Sequence, residues 1–576
     1  MAAAPPPASR RISTVIEPRP PARSSSSSYI VGSTPHYSTT RRHSLYGTED
    51  RIIIDPGSKY WKVGFSGEGK PRQVYQVVQG DGEHALWSWH ASRTPEEYEE
   101  ADRMLSSRLQ DTLRAVFFES LMTDPKSRKV IIVEHPLLPL RVKDLMARIL
   151  FDNLNIPSLS FISCHMLALL AAGRTSGLVV DCGHLETTVL PISSSRPMYP
   201  LLRTTPRAGA HLTTHLRSLI LEYGTYHPPF ASLAGSANTA PRPSRVPLEI
   251  LTDAFIEDIK TSCCFVGQPL DVSETGFLST PAGGRDDRMD VDVETPVSHG
   301  QSLHASPPSG QRSGSHSGAH TPNRPPQTTQ DFLSAQYERQ SATFDFMIPV
   351  TPPPPLTGTG RGNIRIPGWV RERAAEYLFL GGDVDEPSVA EVILQAVLKV
   401  PVDLRKRMIS NILVIGGTPM LPGFIPRLHQ ELVRTLTKPM PTPSVRSPKR
   451  RAYDPFDAVR PLAAHVAILN NPSPPPSTSV SSQNAGKAPA FAPSNMAWVG
   501  GSLAGVLKTG GEEILHDKWD EAHVTEPETP THEVVTKETS MVLPDWTRVP
   551  MVVGAPHAGK HAPRQFGLTI REPVTA

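Results

Sequence analysis

The sequence predicts an α/β fold whose globular part is interrupted by segments that stay unfolded. Three observations predict it. Short apolar runs alternate with stretches of three-to-four periodicity, the pattern of helices layered on a sheet. The 61 prolines among 576 residues are roughly twice the usual ~5%. Proline lacks the N–H and fixes φ, so it is excluded from helix and strand interiors, and here it crowds between the apolar blocks. Finally, Asp-x-Gly turns follow two of the buried strands.

Residues 1–50 read as a disordered tail, with PPP at 5–7, five serines at 24–28 and no aliphatic clustering. The basic, Ser-rich composition is shared with transit peptides, but the prolines would break the amphipathic helix such a peptide needs. Residues 51–55 (RIIID) form a strand candidate, Pro56-Gly57-Ser58 a turn, and 62–65 a second strand, so the pair reads as a hairpin. A helix over 96–122 is predicted by Leu105, Leu109, Leu113, Val116, Phe117 and Leu121, and Asp124-Pro125 stops it. Residues 130–134 make a strand buried on both faces. A helix follows on Val142, Leu145, Met146, Ile149 and Leu150. Next come a strand at 158–163, a helix at 165–172 closed by Gly173, a strand-turn-strand at 177–192 and a helix at 210–223. Further helices are expected at 251–266, 389–400, 402–410 and 425–436, a strand at 411–415, and core character at 498–506. Residues 225–245, 270–342, 437–455 and 471–494 are rich in Pro, Ser and small polar residues and read as disordered insertions. After about residue 522 the chain reads as a polar tail with one apolar patch at 541–546.

Several classes are disfavoured by composition. Lysine and arginine total 58 against 56 acids, a net +2, so no global field argues for nucleic acid. No apolar run approaches the ~18–20 residues of a membrane span. The four cysteines, Cys164, Cys182, Cys263 and Cys264, are too few for a disulfide scaffold and contain no C-x-x-C pair for structural zinc. His165, His184 and His211 show no ligand spacing, so no metal site is expected.

Three glycine-bearing turns follow apolar strands: Asp55-Pro56-Gly57-Ser58, Asp181-Cys182-Gly183 and Gly416-Gly417-Thr418. One alone is ordinary hairpin chemistry. Asp-x-Gly occurring twice after a buried strand suggests two phosphate-facing hairpins. Their N–H groups would cradle phosphate oxygens, and the two aspartates would reach a metal ion through water. The Gly-Gly-Thr turn would let backbone lie flat against a base or sugar.

These residues resemble actin and the actin-related proteins. The matching blocks are 52–72 (IIIDPGSKYWKVGFSGEGKPR), 130–162, 171–183 (AAGRTSGLVVDCG), 256–266 (IEDIKTSCCFV), 402–424 (VDLRKRMISNILVIGGTPMLPGF), 498–504 (WVGGSLA) and 518–522 (KWDEA), in the family's order. The resemblance implies an actin-like two-lobed fold of ribonuclease H-like repeats. The first lobe would take 51–171, with a shortened outer subdomain, and 496–522. The second would take 172–495, with the insertions, and the tails would be 1–50 and 523–576. The resemblance also implies a cleft holding ATP or ADP with Mg on Asp55, Gly57, Ser58, Lys62, Asp181, Gly183, Gly416, Gly417 and Thr418.

Other cleft positions depart from the family. Lys59 replaces a glycine, His184-Leu185 replaces a second Asp-Gly, and Pro419 replaces a polar residue. Cys164 stands where actin's water-orienting glutamine would fall, and Thr188 where its assisting histidine would fall. Thr261 stands for the acid near the adenine, and Ser494 for the lysine against the base. A thiol cannot position water as an amide does, and losing one positioned acid–base group costs roughly 10²–10⁴ in rate. The expectation is therefore nucleotide bound without turnover, and no catalytic residue.

Between Arg72 and Leu105 there is less chain than actin uses for its outer subdomain and the loop that contacts the next subunit at a filament's pointed end. The second lobe carries the bulky insertions. The pattern resembles the divergent actin-related subunits at the pointed end of dynactin, in their filamentous-fungal form. It implies a cytoplasmic, cytoskeletal protein whose partners are dynactin's actin-like filament subunit and the other pointed-end subunits, in dynein-dependent transport and nuclear positioning. The alternative is a nuclear actin-related subunit of a chromatin-remodelling complex, with Lys449-Arg450-Arg451 as an import signal; three charges fall short of a typical 5–8-residue basic stretch.

Overall fold

A computed structural model describes residues 51–77, 94–229, 242–269, 329–341, 343–353, 360–382, 385–438, 454–509, 511–523 and Leu543. The strands are β1 (Arg51–Pro56), β2 (Tyr60–Phe65), β3 (Gln73–Gln76), β4 (Lys129–Glu134), β5 (Ser158–Ser163), β6 (Gly177–Cys182), β7 (Thr187–Ser193), β8 (Arg196–Pro197), β9 (Arg203–Thr205), β10 (Thr225–His227), β11 (Phe346–Val350), β12 (Gly362–Ile366), β13 (Ile412–Ile415) and β14 (Ile514–Leu515). The helices are α1 (Pro95–Ala115), α2 (Leu140–Arg148), α3 (Cys164–Ala171), α4 (Gly209–Tyr223), α5 (Asp253–Cys263), α6 (Thr329–Gln340), α7 (Gly368–Arg373), α8 (Val389–Lys399), α9 (Val402–Ile409), α10 (Phe424–Thr437), α11 (Met496–Leu507) and α12 (His516–His523).

Two sheets repeat one plan. In the first, order β14-β5-β4-β1-β2-β3, the antiparallel meander β3-β2-β1 runs into parallel β4 and β5. In the second, order β13-β6-β7-β8, the meander β8-β7-β6 runs into parallel β13, and β9 also pairs β7. A separate three-stranded sheet has the order β10-β12-β11. The apolar strands read from the sequence are the central ones: Ile52, Ile53, Ile54, Ile131, Ile132, Val179, Val180, Leu413 and Val414 are fully buried. Each such side chain contributes about 1.5–3 kcal/mol of transfer free energy.

Three apolar clusters follow from this plan. One lies behind the first sheet under α1 and α2 and also takes in Trp519 and Leu543. One surrounds the second sheet, with α4, α8 and α10. The third is shared: Ile53, Ile131 and Val133 from the first sheet and Val179, Leu190, Leu413 and Ile415 from the second close on α3 and α11. Glycine explains how tightly α11 packs there. A Cβ at Gly500 would run into the carbonyl oxygen of Leu167 on α3, and one at Gly501 would lie 2.9 Å from Cγ2 of Ile53. Trp498, fully buried, donates its indole N–H to the Ile53 carbonyl at 3.2 Å.

Several expectations are corrected. The insertion expected at 270–342 contains α6, whose Tyr337 is buried against the Trp369 ring (centroids 6.2 Å apart), and Ser341 donates to Glu372 at 2.9 Å. The segment 471–494, expected to be disordered, is laid down in turns on the core. Gly486 and Ala488 donate to the carbonyls of Ile468 and Leu469, Asn484 donates to the Ser410 carbonyl at 3.2 Å, and Ser482 is buried. Its serines and prolines are turn formers here, a use that composition does not separate from disorder. Within 225–245, β10 pairs β12 and Ser244 bridges Tyr226. The helix expected over 251–266 is shorter: Thr252 caps α5 through the Phe255 N–H, and the helix ends at Cys263. The helix expected to 122 becomes a π-turn from Val116 to Ser120. The tail calls at 1–50 and 524–576, Leu543 apart, and the calls on 230–241, 270–328 and 439–453, including Lys449-Arg450-Arg451, lie outside the described residues.

Candidate functional site: the cleft between the two sheets

The predicted turns are brought together by side chains that cross between the two sheets, His135 to Asp181 and Lys59 to Glu257, and by Thr418 on Gly183. The β1–β2 turn carries Asp55, Gly57, Ser58 and Lys59. Gly57 N–H bonds the Asp55 carbonyl at 3.0 Å, and Lys62 on β2 reaches back to the Asp55 carboxylate at 2.6 Å. The β6–β7 turn carries Asp181, Gly183 and His184, closed by the Gly183 N–H to the Glu186 carbonyl at 3.0 Å. The third turn follows β13, which lies beside β6. Gly416 there has φ +102°, a left-handed conformation that glycine tolerates, and a side chain would strike the Cys182 carbonyl. Thr418 donates its hydroxyl to the Gly183 carbonyl at 2.8 Å, which also accepts from Gly209 N–H at the start of α4. Gly417 opens the short 3₁₀ turn Thr418–Met420. All nine predicted residues therefore sit on three turns or on the strand ends that flank them.

The centre of this site is a chain of buried groups. Cys164, at the start of α3, donates to the Asp181 carboxylate at 3.7 Å and lies 3.1 Å from His165 Nδ1. His165 Nε2 is 3.0 Å from the Thr188 hydroxyl. Burial pushes the Cys164 thiol well above its ordinary range, and the Asp181 and Asp55 charges add to the rise. The thiol stays protonated near neutral pH and offers neither a base nor a nucleophile. Burial pushes His165 down to about 3, with His135 adding to the shift. Burial likewise raises Asp181 from its ordinary value, and the nearby His135 opposes that rise.

Three residues that sequence reasoning did not single out, His135, Glu257 and Lys260, complete the site together with Lys59 and His184. His135 follows β4 in the first half, and its Nε2 lies 3.6 Å from the Asp181 carboxylate while its Nδ1 lies 3.8 Å from that of Glu186. Lys59 spans from the first half to α5 in the second, its Nζ 2.8 Å from Glu257 Oε2. Lys260 shares that carboxylate at 2.5 Å and bonds the Gly209 carbonyl and the Thr213 hydroxyl at 3.2 and 2.8 Å. Lys59, Glu257 and Lys260 are 9%, 6% and 7% exposed. His184 stands among them, lowered to about 4 by burial and by the fields of Lys59 and Lys260.

The residues present do not fit a Mg–nucleotide. Both aspartates that would face the metal's water shell already have side chains of the chain itself against them, the Lys62 ammonium on Asp55 and the His135 imidazole on Asp181. The turn that would wrap phosphate sends a lysine across the cleft where close approach needs glycine. Thr261 bonds the Glu257 carbonyl one turn back, and Ser494 lies in a 3₁₀ turn, so neither offers the charge an acid or a lysine would.

Comparison with known proteins agrees with the repeated-sheet plan and its three turns. The profile of the family Actin matches residues 47–275 and 366–456, more than half of the chain, with all nine predicted residues inside it. The mouse protein "Actin-like protein 7A" is 26% identical over 247 residues, 40% of this chain and 51% of that protein. The human "Actin-like protein 7B" is 28% identical over 192 residues, 30% of this chain and 46% of that protein. The chain thus spans about half the length of these curated relatives. Among the described residues no helix is long and apolar enough to cross a membrane. With two sheets of one plan, three turns meeting between them and the family profile lying over both, the chain belongs to the actin family.

Proposed function

We propose that this actin-related protein is non-catalytic, caps the pointed end of the actin-like filament of dynactin, and serves as a platform for pointed-end subunits in dynein-dependent transport and nuclear positioning. The observation that carries the reading is the short stretch between β3 and α1. Only residues 77–94 join Gln76 to Pro95, less chain than actin uses for the part that meets the next subunit. A subunit that keeps the actin body and lacks that part joins a filament end and stops growth there. The cleft supports the non-catalytic half of the proposal: Cys164 is a protonated thiol, and the Thr188 hydroxyl is engaged by a neutral His165.

Affinity purification of the full chain from its own cells tests this. Recovery of the dynactin filament and pointed-end subunits is expected, with the protein in the cytoplasmic, cytoskeletal fraction. Recovery of chromatin remodellers alone would overturn it.

A further inference from the structure

We propose that the cleft is held shut by the chain's own side chains instead of a nucleotide, with Lys59 seated on Glu257 as the principal tie and His135 between Asp181 and Glu186 as the second. The proposal rests on reading the site as an actin-type cleft without turnover, and it goes further by making the protein nucleotide-free.

Both ties cross between the halves. Lys59 leaves the β1–β2 turn of the first sheet and meets Glu257 on α5, which packs in the core of the second. His135 leaves the end of β4 and meets the ends of β6 and of the turn that follows. In a nucleotide-dependent actin fold the bound phosphates and metal supply the charge that joins the two phosphate turns. Here an ammonium and an imidazole from one half meet carboxylates of the other.

The donors that a phosphate would need are already engaged. The three hydrogens of the Lys260 ammonium have three partners within the protein, namely Glu257, Gly209 and Thr213. Lys62 is on Asp55. His184, lowered by burial, stays neutral and adds no cation. Burial opposes ionisation of Glu257, but Lys260 and Lys59 together hold its carboxyl below the usual range, so the seat of the tie is charged. A nucleotide entering the cleft would have to lift Lys59 off a carboxylate that is almost wholly buried. Glu257 would then keep Lys260 alone as its charged partner, and the loss of the second ammonium from a buried carboxylate is subtracted from the binding free energy.

The test uses the full-length protein. Nucleotide released by acid from the purified wild type is measured by chromatography, and thermal melting is followed with and without MgATP. Wild type is expected to release far less than one nucleotide per chain and to melt at the same temperature with MgATP. Lys59→Gly, which restores the small residue, is expected to melt lower without ligand and to recover with MgATP, since a ligand bound only to the native state raises its melting temperature. Lys59→Met keeps the packing and removes the charge. It is expected to melt lower as well, which keeps the tie testable if the glycine variant does not fold. Near-equimolar nucleotide in the wild type, or unchanged melting of Lys59→Met, would overturn the tie. Bound nucleotide that is not hydrolysed would sink this proposal alone, whereas phosphate release above background would sink the non-catalytic reading as well.

Discussion

Arg427 on α10 grips Glu376 with both arms of its guanidinium, Nη1 to Oε1 at 2.7 Å and Nη2 to Oε2 at 2.8 Å, with both side chains 3% exposed. The same arginine reaches Glu431 and the Gly267 carbonyl, and Arg373 adds a second cation at 3.1 Å from Glu376. One buried knot thus joins α7, α10 and the strand of chain leaving α5. A planar fork suits this geometry in a way an ammonium does not.

Removing one partner of this pair strips a buried charge of its two-armed mate and leaves Glu376 only Arg373, or Arg427 only Glu431, as a counter-charge. Arg427→Ala or Glu376→Ala is expected to lower unfolding stability by about 3–5 kcal/mol, read from urea midpoints. Arg427→Lys should recover only part of the loss, because one ammonium cannot serve both carboxylate oxygens. An alanine variant as stable as wild type would show that the knot contributes nothing.

The contact between α3 and α11 gives a second expectation. Gly500→Ala sets a Cβ against backbone, which cannot rotate away, and should cost about 3 kcal/mol or more. Gly501→Ala meets only a methyl of Ile53 at 2.9 Å and should cost less, about 1–3 kcal/mol. Gly69→Ala meets nothing within 4 Å and should change stability by under about 0.5 kcal/mol. Guanidinium melts of the three variants check the order.

Acid should destabilise the protein well before its carboxylates titrate. His165 and His184 are lowered from 6.5 to about 3 and about 4. The unfolded chain therefore binds more protons than the folded one between those values and 6.5. Stability is full above pH 6.5 and falls as the pH drops towards 4 and then 3. Asp181 and Glu186, whose pKa values are raised by burial, act in the opposite sense and reduce the slope. His165→Gln keeps a hydrogen-bonding group facing Thr188 and should flatten the profile between pH 6.5 and 4.5. An unchanged profile would place the acid sensitivity elsewhere.

Glu513 should show the same sign lower on the scale. Although burial opposes it, Lys129, Ser158 and Arg51 together hold its carboxyl at about 2. Its contribution is present above the ordinary 4.5 and disappears as the pH falls to 2. Glu513→Gln should remove that part of the acid dependence, measured as the difference in urea midpoint between pH 5 and pH 3.

How much of this was legible in the chain depends on the range of the interaction. The hairpins at Asp55 and Asp181 were readable because a strand, a turn and a strand are local and carry their own residue types. The departure at Lys59 was readable as a single substitution in a matched block, and those at Cys164 and Thr188 by their distance from the blocks beside them. What Lys59 does was not, since Glu257 lies almost two hundred positions on and nothing local marks it as the partner. His135 was missed for a similar reason; the only hint was a histidine between the strand end at Glu134 and Pro136, at the level where the cleft opens. The segment 471–494 was misread because serine and proline serve both disorder and tight turns, and only the carbonyls of Ile468 and Leu469 decide between them.

The bond between Trp498 and the Ile53 carbonyl also sets a schedule. The two residues are 445 positions apart, and a ribosome adds about 5–20 residues per second. For roughly 20–90 seconds after β1 is made, the apolar face that α11 will cover has no permanent neighbour. Strand β1 is made long before the helix that seals it, so the face it offers to α11 stays uncovered on the nascent chain while the ribosome works through everything between.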